Sequence, residues 1–291
     1  MTLDVTPRVQ PFHHRDTGTW SYVVDGGDGS AAAIIDPVLD FDIKSGRTGT
    51  NPAQALLDHA AAHGLDVQWI LETHAHADHL SAGHWLKSRI PGATLAIGSG
   101  IRAVQAHFRD LYNLGAGFAA DGSQFDRLFE DGDSFALGAL GVRAIAVPGH
   151  TSDSTAYLVG DALFPGDTMF MPDSGTARCD FPGGDAATLY RSIRRLFELP
   201  GATRVFVCHD YGQGGREVAC ETTIAAQRRD NIHVHDGIDE AAYVEMRTTR
   251  DATLAVPALL LSALQVNIRA GALPDAESNG TRYLKLPLDA L

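Results

Sequence analysis

The sequence predicts a mixed α/β protein in which helices cover the faces of hairpin-paired sheets. Three observations carry that prediction. Short apolar runs rich in β-branched residues alternate with Gly/Asp turns through the first half of the chain. Segments with helical period interrupt them. The residues after about 216 read mostly as helix, with Gly- and Pro-containing loops near the end.

In chain order, strands are expected over Ser21–Val24, Ala31–Ile35, Val67–Leu71, Thr94–Ile97, Val142–Val147, Thr155–Val159 and Ala162–Phe164. Turns such as Asp25-Gly26-Gly27 and Asp131-Gly132-Asp133 join several of them. Asn51-Pro52 reads as an N-cap followed by Pro at the first helical position; Leu56, Leu57 and Ala60 recur at helical spacing, and Gly64 stops the helix. Asp185 caps a second helix in which Leu189, Ile193, Leu196 and Phe197 form one apolar stripe, ended by Pro200-Gly201. Thr203–Val207 returns as a strand. No linker, repeat or low-complexity segment divides the 291 residues, so one domain is expected over 1–291, with a core at about 20–235 and a C-terminal extension at about 238–291.

Composition narrows the function. With 23 basic against 36 acidic side chains the formal charge is −13, and no basic run interrupts it. Such a chain repels phosphates, which excludes a nucleic-acid groove or an anionic membrane surface as the expected partner. Cys179, Cys208 and Cys220 are odd in number and widely spaced, which suits a reducing compartment rather than a disulfide framework. The N-terminal residues lack a signal-peptide pattern, and the apolar stretch Pro257–Val266 is shorter than the roughly 20 residues a bilayer requires. A cytoplasmic protein is expected.

The chemistry is concentrated in a few places. Thr73-His74-Ala75-His76-Ala77-Asp78-His79 follows directly on an apolar strand. At a strand end His74 and His76 project from one side, while Asp78 and His79 turn into the next element. One loop can thus feed two neighbouring metal positions, since imidazole and carboxylate bind zinc, iron and manganese. His150 after Pro148-Gly149, Asp167 after Pro165-Gly166, and His209 after Arg204–Cys208 each stand just past another expected strand. This is how a sheet edge gathers ligands from distant sequence. His13-His14 lies outside every motif and reads as surface. Cys208 ends an apolar strand and reads as a small buried hydrophobe, and neither it nor Cys179 has a thiolate-stabilising neighbourhood.

Together with Pro148-Gly149-His150-Thr151, Gly166-Asp167-Thr168, His209 and the strand end Ile34-Ile35-Asp36-Pro37, the histidine motif resembles the signature of the metallo-β-lactamase superfamily. The resemblance implies an αββα sandwich, two mixed β-sheets face to face with helices outside, and a metal site at one edge. Asp173–Phe181 and His209-Asp210-Tyr211-Gly212 look most like the persulfide (sulfur) dioxygenase branch, in its bacterial sulfide-detoxification form. That branch implies one ferrous ion held by His74, His150 and Asp167, with His76, Asp78, His79 and His209 around a second metal position that stays vacant. Arg178 and Tyr211 would contact substrate, with an ion pair to Asp173 or Asp180 as the alternative role of Arg178. Activity would be oxidation of glutathione persulfide, or a related small persulfide, by O₂ to sulfite and free thiol.

The same ligands would equally serve a glyoxalase II type thioester hydrolase with two zinc-type ions and a bridging hydroxide. The metal number therefore comes from the resemblance and not from spacing. Val38–Thr50 is longer than the matching loop of compact glutathione-persulfide enzymes, and Gly212–Arg216 differs from theirs; both are expected to border the pocket. A homodimer is a common state in the family.

Overall fold

The computed structural model describes residues 6–290. The first half runs β1 (Arg8–His14), β2 (Thr19–Asp25), β3 (Ala31–Ile35), β4 (Val38–Asp42), β5 (Arg47–Gly49), α1 (Asn51–Ala62), β6 (Asp66–Leu71), β7 (Leu80–Ser81), α2 (Gly83–Arg89), β8 (Thr94–Gly98), α3 (Ile101–Leu111) and β9 (Arg127–Phe129). The second runs β10 (Ser134–Leu137), β11 (Leu140–Ala146), β12 (Thr155–Val159), β13 (Ala162–Phe164), α4 (Ala186–Leu196), β14 (Arg204–Phe206), β15 (Glu221–Thr223), α5 (Ile224–Asp230), α6 (Glu240–Asp251) and α7 (Leu260–Asn267).

Two six-stranded mixed sheets result, ordered β1-β2-β3-β6-β8-β9 and β10-β11-β12-β13-β14-β15. In the first, β1, β2 and β3 are antiparallel and β3, β6, β8 and β9 parallel. The pleat sorts their residues. Tyr22, Val24 and Ile35 point inward, where they pack with Val142, Tyr157, Phe164 and Phe206 of the second sheet. Val23, Ile34 and Ile70 point outward beneath Leu56 of α1, Leu86 of α2, Phe108 of α3 and Leu264 of α7. On the far side Ile145, Leu163 and Val205 lie under Leu189 and Ile193 of α4, Ile224 of α5 and Tyr243 of α6. This is the αββα sandwich, since each sheet must bury its second apolar face under helices.

The capped stripe of α4 stands as expected: Asp185 accepts from the Thr188 amide at 2.7 Å, and Leu189, Ile193, Leu196 and Phe197 are buried. The first helix begins one residue early, with Thr50 in the cap position and Pro52 within the first turn. Other differences have physical causes. The edge strand β1 contains Pro11, which an edge tolerates because one side of its backbone needs no partner. Helix α3 has no side-chain cap to announce it. Val38–Thr50 is not a loop but contains the β4–β5 hairpin, whose β4 also pairs with the two-residue β7. β15 interrupts the segment read as helix. The C-terminal extension is helical at α6 and α7 only, and the two helices lie on opposite outer faces of the sandwich. No helix among the described residues is long and apolar enough to cross a membrane.

Removing the α4 cap by Asp185→Ala is expected to lower stability by about 1 kcal/mol. Reversible urea unfolding measures it, and an unchanged midpoint would contradict the capping role.

Candidate metal centre

The C-terminal ends of β3, β6, β11, β13 and β14 deliver Asp36, the 73–79 loop, His150, Asp167 and His209. Strand direction gathers these sequence-distant residues at one edge. Two of the turns require glycine. Gly149 has φ +135°, and a Cβ there would stand 2.3 Å from the Leu189 backbone nitrogen; Gly166 has φ +55°, and a Cβ would stand 2.6 Å from Thr73 Oγ1. The side chain before each ligand is therefore dispensed with so that α4 and Thr73 can close on the site. Two backbone contacts stitch the sheets together here, the Trp20 amide to the Cys208 carbonyl at 2.7 Å and a bridge between Thr19 and His209.

The ligand-type atoms fall into two principal sets, each within 4.8 Å: His74, His150 and Asp167 in one, and His76, Asp78, His79 and His209 in the other. Asp167 faces both, with Oδ2 3.7 Å from His150 Nε2 and Oδ1 3.2 Å from His209 Nε2. The imidazoles are oriented from behind. Nδ1 of His150 donates to the Arg178 carbonyl at 2.7 Å; Nδ1 of His74 faces Thr73 Oγ1 at 3.1 Å, that of His79 the Leu80 carbonyl at 3.3 Å, and that of His209 Thr19 Oγ1 at 3.4 Å. Committing Nδ1 leaves Nε2 for the centre. His76 is the reverse: its Nε2 lies 3.1 Å from Asp36 Oδ1.

Buried and without a hydrogen bond are His74 Nε2, His76 Nδ1, His79 Nε2, His209 Nε2, Asp78 Oδ2 and Asp167 Oδ1. A cluster of buried nitrogen and oxygen atoms with free lone pairs turned toward one another is unfavourable by itself and fits a cation. A metal-binding site of His and Asp residues is therefore present. Burial, reinforced by neighbouring His76, holds His79 neutral with a pKa of about 3 and pushes His74 well below the ordinary range as well. Neutral imidazole is the form that binds metal. For His76 burial acts the same way, but the Asp36 carboxylate outweighs it and raises the pKa to about 10.

Residues outside the expected set hold the loop. Asp36 accepts from the Thr73 amide at 2.7 Å and its hydroxyl at 2.9 Å, and Asp153 accepts from the Ala75 amide at 2.8 Å. Asn267, at the end of α7, donates to the His76 and His79 carbonyls at 2.7 and 2.8 Å and accepts from the Ser81 amide at 2.8 Å. Glu72, buried beside Ser81 and His76, is pushed up to about 8 by burial and by Asp36. Glu72 adjoins the histidine motif and could have been noticed there. Nothing in the sequence around Asn267 marks it, because its partners are 186 to 191 positions away.

A cavity of about 340 Å³ opens over Asp78, His150, Asp167 and His209, walled by Phe170, Phe181, Tyr211 and Leu254. Tyr211 is 62% exposed and its ring runs parallel to that of His209 at 6.1 Å. Arg178 lines the cavity, with its guanidinium bound twice to Asp180 at 2.6 Å and once to the Ala255 carbonyl. The ion pair with Asp180 is thus formed, while Asp173 pairs with Arg216. The buried pair Arg247–Asp251 of α6 fixes this wall through the Thr176 carbonyl and the Cys179 amide. Gln213 of the Gly212–Arg216 loop borders this cavity; the β4–β5 hairpin instead lines a second one, of about 770 Å³. Cys208 is buried, and burial raises the thiol pKa of Cys208 and takes that of Cys179 to about 12, so neither is a ready thiolate.

An αββα sandwich with a His/Asp metal site at the strand ends defines a class, and the family comparison agrees. Residues 14–209 match the Metallo-beta-lactamase superfamily, and the chain belongs to it. It is 53% identical to a probable metallo-hydrolase of Burkholderia pseudomallei, covering 97% of this chain and 99% of that protein. It is 47% identical to glyoxylase B2 of Dictyostelium discoideum over 98% of each. Human mitochondrial persulfide dioxygenase ETHE1 is 30% identical over 66% of this chain and 64% of its own length. Among solved structures, ETHE1 from Myxococcus xanthus superposes with a TM-score of 0.72 at 28% identity, covering 91% of this chain and 100% of that one.

Replacing Asn267 by Ala removes the partner of the buried Ser81 amide and of two loop carbonyls. Stability is expected to fall by roughly 1–3 kcal/mol. Thermal unfolding of the metal-free protein checks this, and a melting point within error of the parent would refute it.

Proposed function

We propose that this protein is a ferrous-iron persulfide dioxygenase acting on glutathione persulfide or a related small persulfide. The reaction is R–S–SH + O₂ + H₂O → R–SH + H₂SO₃, which balances with the sulfane sulfur oxidised and O₂ reduced. One observation carries the reading: His74, His150 and Asp167 bring ligand atoms within 4.8 Å of one another beneath the 340 Å³ cavity. Two imidazoles and one carboxylate make up the donor set of non-haem iron oxygenases. Iron in that triad would supply a redox centre with open positions for both reactants. Likeness to the two ETHE1 proteins supports the choice.

In this reading the Arg178 carbonyl and Thr73 hydroxyl hold His150 and His74 with Nε2 inward. Arg178, braced by Asp180, presents its edge to an anionic carrier thiol, and the exposed Tyr211 phenol reaches the substrate at the cavity mouth. Phe170, Phe181 and Leu254 exclude water around the sulfur chain. Confinement of both reactants at one centre converts an encounter into a positioned reaction. The three unpaired cysteines suit a cytoplasmic setting.

The second reading is a two-metal thioester hydrolase of the glyoxalase II type. The intact set His76, Asp78, His79 and His209 and the two-sided Asp167 favour it. So do the names of the relatives at 53% and 47% identity, which by themselves support hydrolysis better than dioxygenation.

Anaerobic metal analysis followed by oxygen uptake with glutathione persulfide separates the two. One iron per chain, O₂ consumed and sulfite formed is the expected result. Two zinc-type ions, no oxygen uptake and cleavage of a glutathione thioester would establish the hydrolase instead. Asp167→Ala is expected to lose bound metal and turnover together, and iron retained with full turnover would sink the ligand assignment.

A further inference from the structure

His14, which belongs to none of the motifs, stands in a chain of hydrogen bonds that ends at the metal centre. Its Nε2 lies 2.9 Å from Asp40 Oδ1 on β4, and its Nδ1 lies 2.7 Å from Thr17 Oγ1. Thr17 Oγ1 is 2.7 Å from Thr19 Oγ1, which is 3.4 Å from His209 Nδ1. Each proton in this chain has one place to go, and the outer end decides it. A carboxylate only accepts, so neutral His14 donates from Nε2 to Asp40 and must accept at Nδ1. Thr17 then donates to His14 and accepts from Thr19. Thr19, having given its own proton to Thr17, accepts from His209.

The proton of His209 is thereby assigned to Nδ1. Its Nε2, which has no hydrogen-bond partner, is left to face Asp167 at 3.2 Å and Asp78 at 3.3 Å. Two further facts make the chain a device rather than a coincidence. Thr19 is fully buried, so water does not compete for its hydroxyl. Its backbone is bridged to that of His209, with the Asp210 amide bound to the Gly18 carbonyl at 3.1 Å, so the last link cannot drift apart. The outer end, in contrast, is accessible: His14, Thr17 and Asp40 line the 770 Å³ cavity beside the β4–β5 hairpin.

We propose that His14 and Asp40 are positioning residues that act through Thr17 and Thr19 to fix the tautomer of His209, and so leave the lone pair of its inward-facing Nε2 free for the metal pocket. The role is the same whichever of the two reactions the centre performs, and only the turnover arm of the test rests on the dioxygenase reading.

The test is long-range nitrogen–proton correlation spectroscopy of the metal-free, histidine-labelled protein in alkaline solution above the pKa of about 9 to which Asp167 and Asp78, against burial, raise His209. His209 is expected as the Nδ1–H tautomer in the parent. His14→Phe removes the acceptor for Thr17 and should turn this into a tautomer mixture. His14→Asn, whose amide oxygen takes the place of Nδ1, should restore it. With the metal-loaded enzyme, His14→Phe should lower kcat on the order of tenfold with KM unchanged, and His14→Asn should recover most of the loss. Thr17→Val breaks the chain at a half-buried position with little change of shape and gives the same spectrum should His14→Phe fail to fold. A His209 signal unchanged in folded His14→Phe or Thr17→Val overturns the proposal. The expected tautomer changes together with a parent enzyme that consumes no O₂ would uphold it and remove the dioxygenase reading alone.

Discussion

Everything at the strand-end edge depends on keeping a cluster of imidazoles and carboxylates buried with their free lone pairs converging. Such an arrangement opposes folding, because each unpartnered buried polar atom costs about 1–3 kcal/mol. The surrounding structure offsets that cost by fixing the backbone that carries the cluster. Asp36 binds Thr73 twice, Asp153 holds Ala75, and Asn267 ties the His76 and His79 carbonyls to the Ser81 amide. A bound cation then converts the remaining deficit into affinity, so that folding of this edge and metal binding are coupled.

The sandwich is the means by which those supports arrive. Asp36 comes from β3, Asp153 from the turn before β12, and Asn267 from α7. Strands of the two sheets that carry ligands all end at the same edge, and the Trp20–Cys208 and Thr19–His209 contacts lock one sheet to the other. The inter-sheet core of Tyr22, Tyr157, Phe164 and Phe206 fixes that relation over the rest of the interface. Displacement of either sheet would separate the two ligand sets.

The cavity shows how the region beyond residue 209 shapes chemistry. The family match stops at His209, yet Tyr211, Gln213, Leu254 and the Arg247–Asp251 pair build one side of the pocket. Arg178 illustrates the consequence. Its backbone carbonyl orients His150 while its side chain is fastened to Asp180 and Ala255, so one residue links the metal pocket to the segment after α6. Differences in substrate among relatives sharing the ligands can arise in these walls, which is why the fold does not fix the reaction.

Much of this was legible in the amino-acid sequence. The apolar runs gave the long strands, Asp185 and the stripe behind it gave α4, and the spacing of His74, His76, Asp78 and His79 gave the metal loop, because each rests on interactions between near neighbours in the chain. The two Pro-Gly turns before His150 and Asp167 likewise announced themselves. What only the tertiary structure decided is what those residues meet across long sequence separations. Asn267 beneath the histidine loop, the pairing of β4 with β7, and the two end links that join the short His14–Thr17–Thr19 run to Asp40 and to His209 leave no periodic or local trace. They exist only once the sheets and helices have packed, when atoms nearly two hundred positions apart come within hydrogen-bonding distance.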